Sequence, residues 1–260
     1  MKHIINQDIL HIENNIKPSN IVTNEKKHLW FFMIFYTMII SISNWYDARL
    51  ISLFSFTVSP GALTFPLSFL ISDVITEVYG YKNARKCIWV ALFFNILFIL
   101  FGEIITRLPS PSFAIENNNA FDKLLSINAW VVAGSFISYL ASEPLNAYLI
   151  AKLKIFFKGK YIGIRFVFST IIAACLDSII FIGIAFFTIL NFENLIKLMF
   201  TVWLIKSVIE IIGLPFSIRL AIWLKNNENL DIFDNHTNFN FFNLNNVYEA
   251  SDNHYHKGEV

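Results

Sequence analysis

IGIRFVFSTIIAACLDSIIFIGIAFFTIL, residues 162–190, decides the fold class. Its charged residues are Arg165 near the start and Asp177 in the middle. A bilayer's hydrocarbon core demands about 20 consecutive apolar residues of a spanning helix, and this stretch is longer. Five further blocks of the same character surround it: 28–44, 61–79, 86–106, 127–151 and 195–224. Composition agrees. Hydrophobic residues make up 55% of the 260-residue chain and charged ones 15%, against about 25% charged in a soluble domain. That is too little charge to solvate a surface of this size.

The expected fold is therefore all-α: a polytopic integral membrane protein of six transmembrane helices. A polar N-tail occupies 1–27, the six-helix domain 28–224, and an Asn-rich tail 225–260, expected to be disordered for want of apolar residues to bury. Residues 50–60 are apolar but too short to span, which suggests a re-entrant or interfacial piece. No cleavable signal peptide is visible, so the first apolar block also inserts the chain.

Lysine and arginine favour cytoplasmic loops. With six spans, the segments on the side of the two tails hold 15 such residues and those on the opposite side hold 4, with Lys206 inside a helix. This asymmetry predicts that both termini are cytoplasmic. Arg85 and Arg165 fit as topology anchors or lipid contacts. The net charge of +1 and the lack of a basic stripe give no sign of a nucleic-acid partner. The two cysteines, Cys87 and Cys175, form no CxxC and suggest no disulfide framework.

Ionisable residues in hydrocarbon are expensive, so they are functional candidates by default. Asp73, Glu143, Asp177, Lys206 and Glu210 fall at similar depth on four helices when position is converted at about 1.5 Å per residue. Asn146 lies one turn from Glu143, on the same face. These six residues form the expected substrate-binding or coupling site. The blander alternative is a set of buried ion pairs that only hold the bundle, and Lys206 and Glu210, at i,i+4, are spaced to pair with each other. Glu77 sits near the inner boundary, where Lys82 or Arg85 would pair with it. Pro66, Pro144 and Pro215 lie inside helical blocks at matching depths, and a proline removes one backbone hydrogen bond. Broken helices frame midplane sites in transporters.

The chain has no GxSxG, HExxH or Walker A sequence. All six histidines lie in the tails or at a boundary. No enzymatic activity, metal or cofactor is expected.

Three stretches carry a family resemblance. Gly61-Ala62-Leu63-Thr64-Phe65-Pro66 leads into Ser72-Asp73-Val74-Ile75-Thr76-Glu77-Val78-Tyr79-Gly80 and then Ala84-Arg85-Lys86. Arg165 precedes Ser169-Thr170 and Leu176-Asp177-Ser178 with Phe181. Leu204-Ile205-Lys206 precedes Leu214-Pro215. Together they resemble the queuosine precursor transporters. The family pattern has a Gln followed three residues later by an Asp where this chain has Glu143 and Asn146, so the acid moves one turn along the same face. The resemblance implies a multi-pass inner (plasma) membrane importer of 7-deazaguanines: 7-cyano-7-deazaguanine, 7-aminomethyl-7-deazaguanine or queuine. Its partners would be that small molecule and the lipid bilayer, with a homo-oligomer left open. A substrate-binding subunit of an energy-coupling-factor importer is the alternative. An intramembrane enzyme using Asp73 and Asp177 is disfavoured because no Gly-x-Gly-Asp motif is present.

Overall fold

A computed structural model of the chain describes residues 21–22, 25–46, 51–53, 56–58, 60–125 and 129–256. Most of the expected N-tail lies outside them. The long apolar blocks all form helices: α1 (Leu29–Tyr46), α2 (Pro60–Thr64) with α3 (Pro66–Tyr79), α4 (Tyr81–Thr106), α6 (Ala129–Phe156), α7 (Ile162–Phe186) and α8 (Phe192–Glu228). A short α5 (Ile115–Leu125) follows α4. The segment expected to be a re-entrant or interfacial piece forms an antiparallel hairpin, β1 (Ile51–Leu53) with β2 (Phe56–Val58), in which Ile51 opposes Val58. Its β-branched and aromatic residues suit strands.

Among the described residues, four segments are long and apolar enough to cross a membrane: Leu29–Tyr46, Pro60–Tyr79, Tyr81–Thr106 and Ile162–Phe186. Helices α6 and α8, with 28 and 37 residues, are long enough but carry more polar and charged residues.

The bundle is built around α3. Helix α6 packs along α7, α7 along α8, and α8 returns to α3, while α1 lies on α4 and on α3. All of α3 is buried except Leu67. Pro66 stands at the break between α2 and α3. Pro144 and Pro215 lie inside continuous helices, so the expected interruptions there do not occur. Gly80 joins α3 to α4 at φ +78, a left-handed conformation that glycine adopts without strain.

The Glu77 end of the bundle is locked by charge. Arg165 grips the Glu77 carboxylate with both terminal nitrogens, and its Nε donates to the Lys160 carbonyl at 3.0 Å. Lys225 reaches Glu77 Oε1 at 2.6 Å and Asp231 at 2.8 Å. Lys154 uses all three of its protons, on Asp231 (2.6 Å) and on the carbonyls of Glu77 (2.5 Å) and Ile232 (2.8 Å). Four helices and the C-terminal segment meet here. Two expectations are corrected. Glu77 pairs with neither Lys82 nor Arg85, and Arg165 is a fully buried ion-pair partner rather than a lipid contact. Pairing and backbone acceptors are what make such burial tolerable.

The expected disorder of the Asn-rich tail is also overturned across residues 229–256. Asn238, Asn240, Asn243 and Asn245 each accept a hydrogen bond from the backbone N–H two residues on, at 2.9–3.0 Å. These are Asx turns, in which asparagine replaces a ladder partner. Arg85 donates to the carbonyls of Asn238, Asn240 and Asn245 at 3.0, 2.6 and 2.9 Å. It is thus a clamp on the tail rather than a lipid contact. Trp89 stacks on Phe241 with centroids 4.8 Å apart. The Tyr248 hydroxyl donates to Asp234 at 2.6 Å and accepts from the Lys82 amide at 2.8 Å. Burial, then the Asp234 charge, pushes its phenol well above the usual range, so it remains a donor.

Glu77→Ala takes from Arg165 its carboxylate and leaves Lys154 and Lys225 to share Asp231, and is expected to cost about 3–5 kcal/mol, read as a lower thermal midpoint of the purified protein in detergent. Arg107→Ala removes only the exposed pair with Glu103 and should leave the midpoint in place. Equal midpoints for the two variants would refute the lock.

Candidate functional site

One helix presents each polar residue. Asp73 comes from α3, Glu143 and Asn146 from α6, Asp177 from α7, and Lys206 and Glu210 from α8. All six are buried, none more than 5% exposed. They divide into two linked groups.

In the first, Asn146 Nδ2 donates to Asp73 Oδ1 at 2.6 Å, and the Thr170 hydroxyl lies 3.4 Å from Asp73 Oδ2 and 3.5 Å from Asn146 Oδ1. Glu210 turns toward α3, where its carboxyl meets that of Asp73. The two carboxyls hydrogen-bond to each other, and no other side chain donates to Glu210 among the described residues. Ser68 donates to Glu143 Oε1 at 3.0 Å, with the Tyr36 and Ser72 hydroxyls close by. Glu143 Oε2 has no donor among the described residues.

In the second, Lys206 forms a short ion pair with Asp177, whose other oxygen accepts from Ser142 at 3.3 Å. The Lys206 ammonium also lies 4.7 Å from the centre of the Phe65 ring, within cation–π range. The expected Lys206–Glu210 pair does not form. A lysine N-terminal to its glutamate is the weaker i,i+4 order, and Asp177 offers a partner across the helix interface.

All six expected residues therefore lie in one buried polar layer. Four carboxyl groups share that layer with one lysine, and the lysine is committed to Asp177. Several members were not singled out from sequence. Thr170 sits seven residues before Asp177, two turns along the same face. Tyr139 sits four before Glu143, and its hydroxyl contacts that of Tyr36 at 3.1 Å and donates to the Ile88 carbonyl at 3.0 Å. The i,i+4 spacing was the available signal for Tyr139. Phe65 and Ser68 carried none, because the Pro66 break sets their directions. Among the described residues no cluster of His, Cys, Asp and Glu could hold a metal ion.

Residues 59–220 match the family described as "Putative vitamin uptake transporter". A protein of Bacillus subtilis (strain 168) named "Probable queuosine precursor transporter" is 25% identical over 69% of this chain and 79% of its own length. The "Queuosine precursor transporter" of Escherichia coli (strain K12) is 25% identical over 51% of this chain and 58% of its own. A Haemophilus influenzae protein (strain ATCC 51907 / DSM 11121 / KW20 / Rd), "Probable queuosine precursor transporter", is 26% identical over 52% and 54%. The chain thus spans little more than half of the last two. No solved structure matches it.

Lys206→Met leaves Asp177 buried with only Ser142 as a partner and is expected to lower the thermal midpoint. Adding Asp177→Asn removes the stranded charge and should recover most of the loss. A double variant no more stable than Lys206→Met alone would show that the pair is not coupled.

Proposed function

The chain belongs to this family of multi-pass membrane transporters, which are not enzymes, and on that premise we propose that it imports queuosine precursors across the plasma (inner) membrane. The substrate class is the 7-deazaguanines: 7-cyano-7-deazaguanine, its 7-aminomethyl relative or queuine. The proposed topology has six crossings, formed by α1, α2 with α3, α4, α6, α7 and α8, with both termini cytoplasmic. The 15-to-4 division of Lys and Arg supports it.

One observation carries the substrate class. Asp73, Glu143 and Glu210 bring three buried carboxyl groups together, met by hydroxyls, the Asn146 amide and one another, while the layer's lysine is taken by Asp177, and buried carboxyl groups are costly unless well met. A guanine-type edge brings adjacent N–H donors that a carboxylate accepts in pairs. In this reading Asp73, Glu143 and Glu210 take the donor edge and Asn146 serves the carbonyl edge. Lys206 and Asp177 hold Phe65 against the site as an aromatic wall, and stacking a base on such a ring is worth roughly 1–3 kcal/mol elsewhere. The excess of carboxyl groups over lysine favours the cationic aminomethyl compound.

The test is a host that makes no queuosine precursor and lacks its own importer. Expression of this chain should restore queuosine in tRNA, seen by boronate gel shift, at low concentrations of fed 7-deazaguanine. No restoration with the protein confirmed in the membrane would reject the assignment. Asp177→Ala and Glu143→Ala should each abolish uptake while the protein still inserts, and wild-type uptake by either would remove that residue from the site. The aminomethyl compound should outcompete the cyano compound, and the reverse order would count against the charge argument.

A further inference from the structure

A cavity of about 60 Å³ lies between α1, α4, α6 and α7, away from the Glu77 end. Its polar lining is Asn44, Asn95, Ser135 and Tyr139, and Phe65 and Phe136 are among its aromatic walls. Asn95 is 7% exposed, deep in the apolar helix α4. An amide at that depth is expensive unless it is used. Its interhelical contacts use only part of its capacity. Asn44 Nδ2 donates to Asn95 Oδ1 at 2.9 Å, Asn95 Nδ2 donates to the Ala91 carbonyl at 3.2 Å, and Ser135 lies 3.3 Å from Asn44 Oδ1. Each amide group has two N–H donors and two acceptor lone pairs. Asn44 and Asn95 therefore keep a second N–H and a second lone pair each beside the cavity they line.

The cavity is joined to the carboxyl layer. Ser135, Tyr139 and Glu143 are spaced i, i+4, i+8 on α6, one face in about 6 Å steps. Phe65 is shared: it lines the cavity and lies under the Lys206 ammonium. We propose that this cavity is a second binding station for a planar heterocycle with adjacent donor and acceptor atoms, read by Asn44 and Asn95, with Phe65 as the partition between it and the carboxyl layer. The choice of ligand rests on the transport reading above. As it stands the cavity has room for a few waters. Those waters leave when a base enters, and Phe65 or Phe136 rotates to admit it.

Two measurements test the station. In uptake assays, Asn44→Ala and Asn95→Ala should each raise the half-saturating concentration by roughly fivefold to tenfold, the loss of about one hydrogen bond, with the larger effect there rather than on the maximal rate. Unchanged half-saturation in both variants overturns the proposal. The second uses purified protein and does not depend on flux. With Cys87 and Cys175, the free cysteines among the described residues, replaced by Ala, Ser135→Cys should react with a maleimide, and saturating 7-cyano-7-deazaguanine should slow that reaction at least fivefold. Protection should persist when Glu143→Ala is added, because the cavity is then the remaining station. An unreactive cysteine, no protection, or protection lost with Glu143→Ala would each overturn it. Failure of the wild-type chain to import would instead defeat the transport reading, while the protection assay still reports on the cavity.

Discussion

A single buried carboxylate holds the bundle together. Glu77, on the central helix α3, is met by Arg165 from α7, Lys154 from α6 and Lys225 from α8. Desolvating any one of these charges alone would cost several kcal/mol. Arg165 depends on Glu77, while Lys154 and Lys225 share Glu77 and Asp231, so four helices are fixed at one end. Asp231 and the carbonyls of Lys160 and Ile232 absorb the remaining positive charge. The C-terminal segment is tied to the same end through Asp231 and through the Arg85 clamp.

The other half of the molecule is built differently. Its polar contacts include single neutral hydrogen bonds among Asn44, Asn95 and Ser135, each worth about 1 kcal/mol in net terms, against about 3–5 kcal/mol for breaking a buried ion pair. Opening that end breaks weak contacts; opening the Glu77 end breaks an ion-pair network.

Between the two ends, the central polar layer is unevenly satisfied. Asp177 and Lys206 neutralise each other and fix Phe65 beside them. Asp73 is held by Asn146 and Thr170, Glu143 is met by hydroxyls, and Glu210 meets the Asp73 carboxyl. A purely structural network would be expected to close on itself, since half-satisfied buried networks are worse than apolar packing.

By itself, the sequence determined the helical membrane character and which polar residues are buried together. Both follow from one-dimensional quantities: the length of the apolar blocks and the rise per residue. Residues 28–44, 86–106 and 162–190 coincide closely with helices, and all six expected site residues are buried in one layer. The tail was misjudged because composition counts apolar residues, while its order comes from asparagine side chains closing turns on their own backbone. Partner choice was equally out of reach. Lys206 has Glu210 one turn away in sequence, yet it pairs with Asp177 across a helix interface. Glu77 takes Arg165, Lys154 and Lys225 rather than Lys82 or Arg85. Spacing along a helix says which residues share a face; which face meets which is set by how helices pack, and only the tertiary structure decided that.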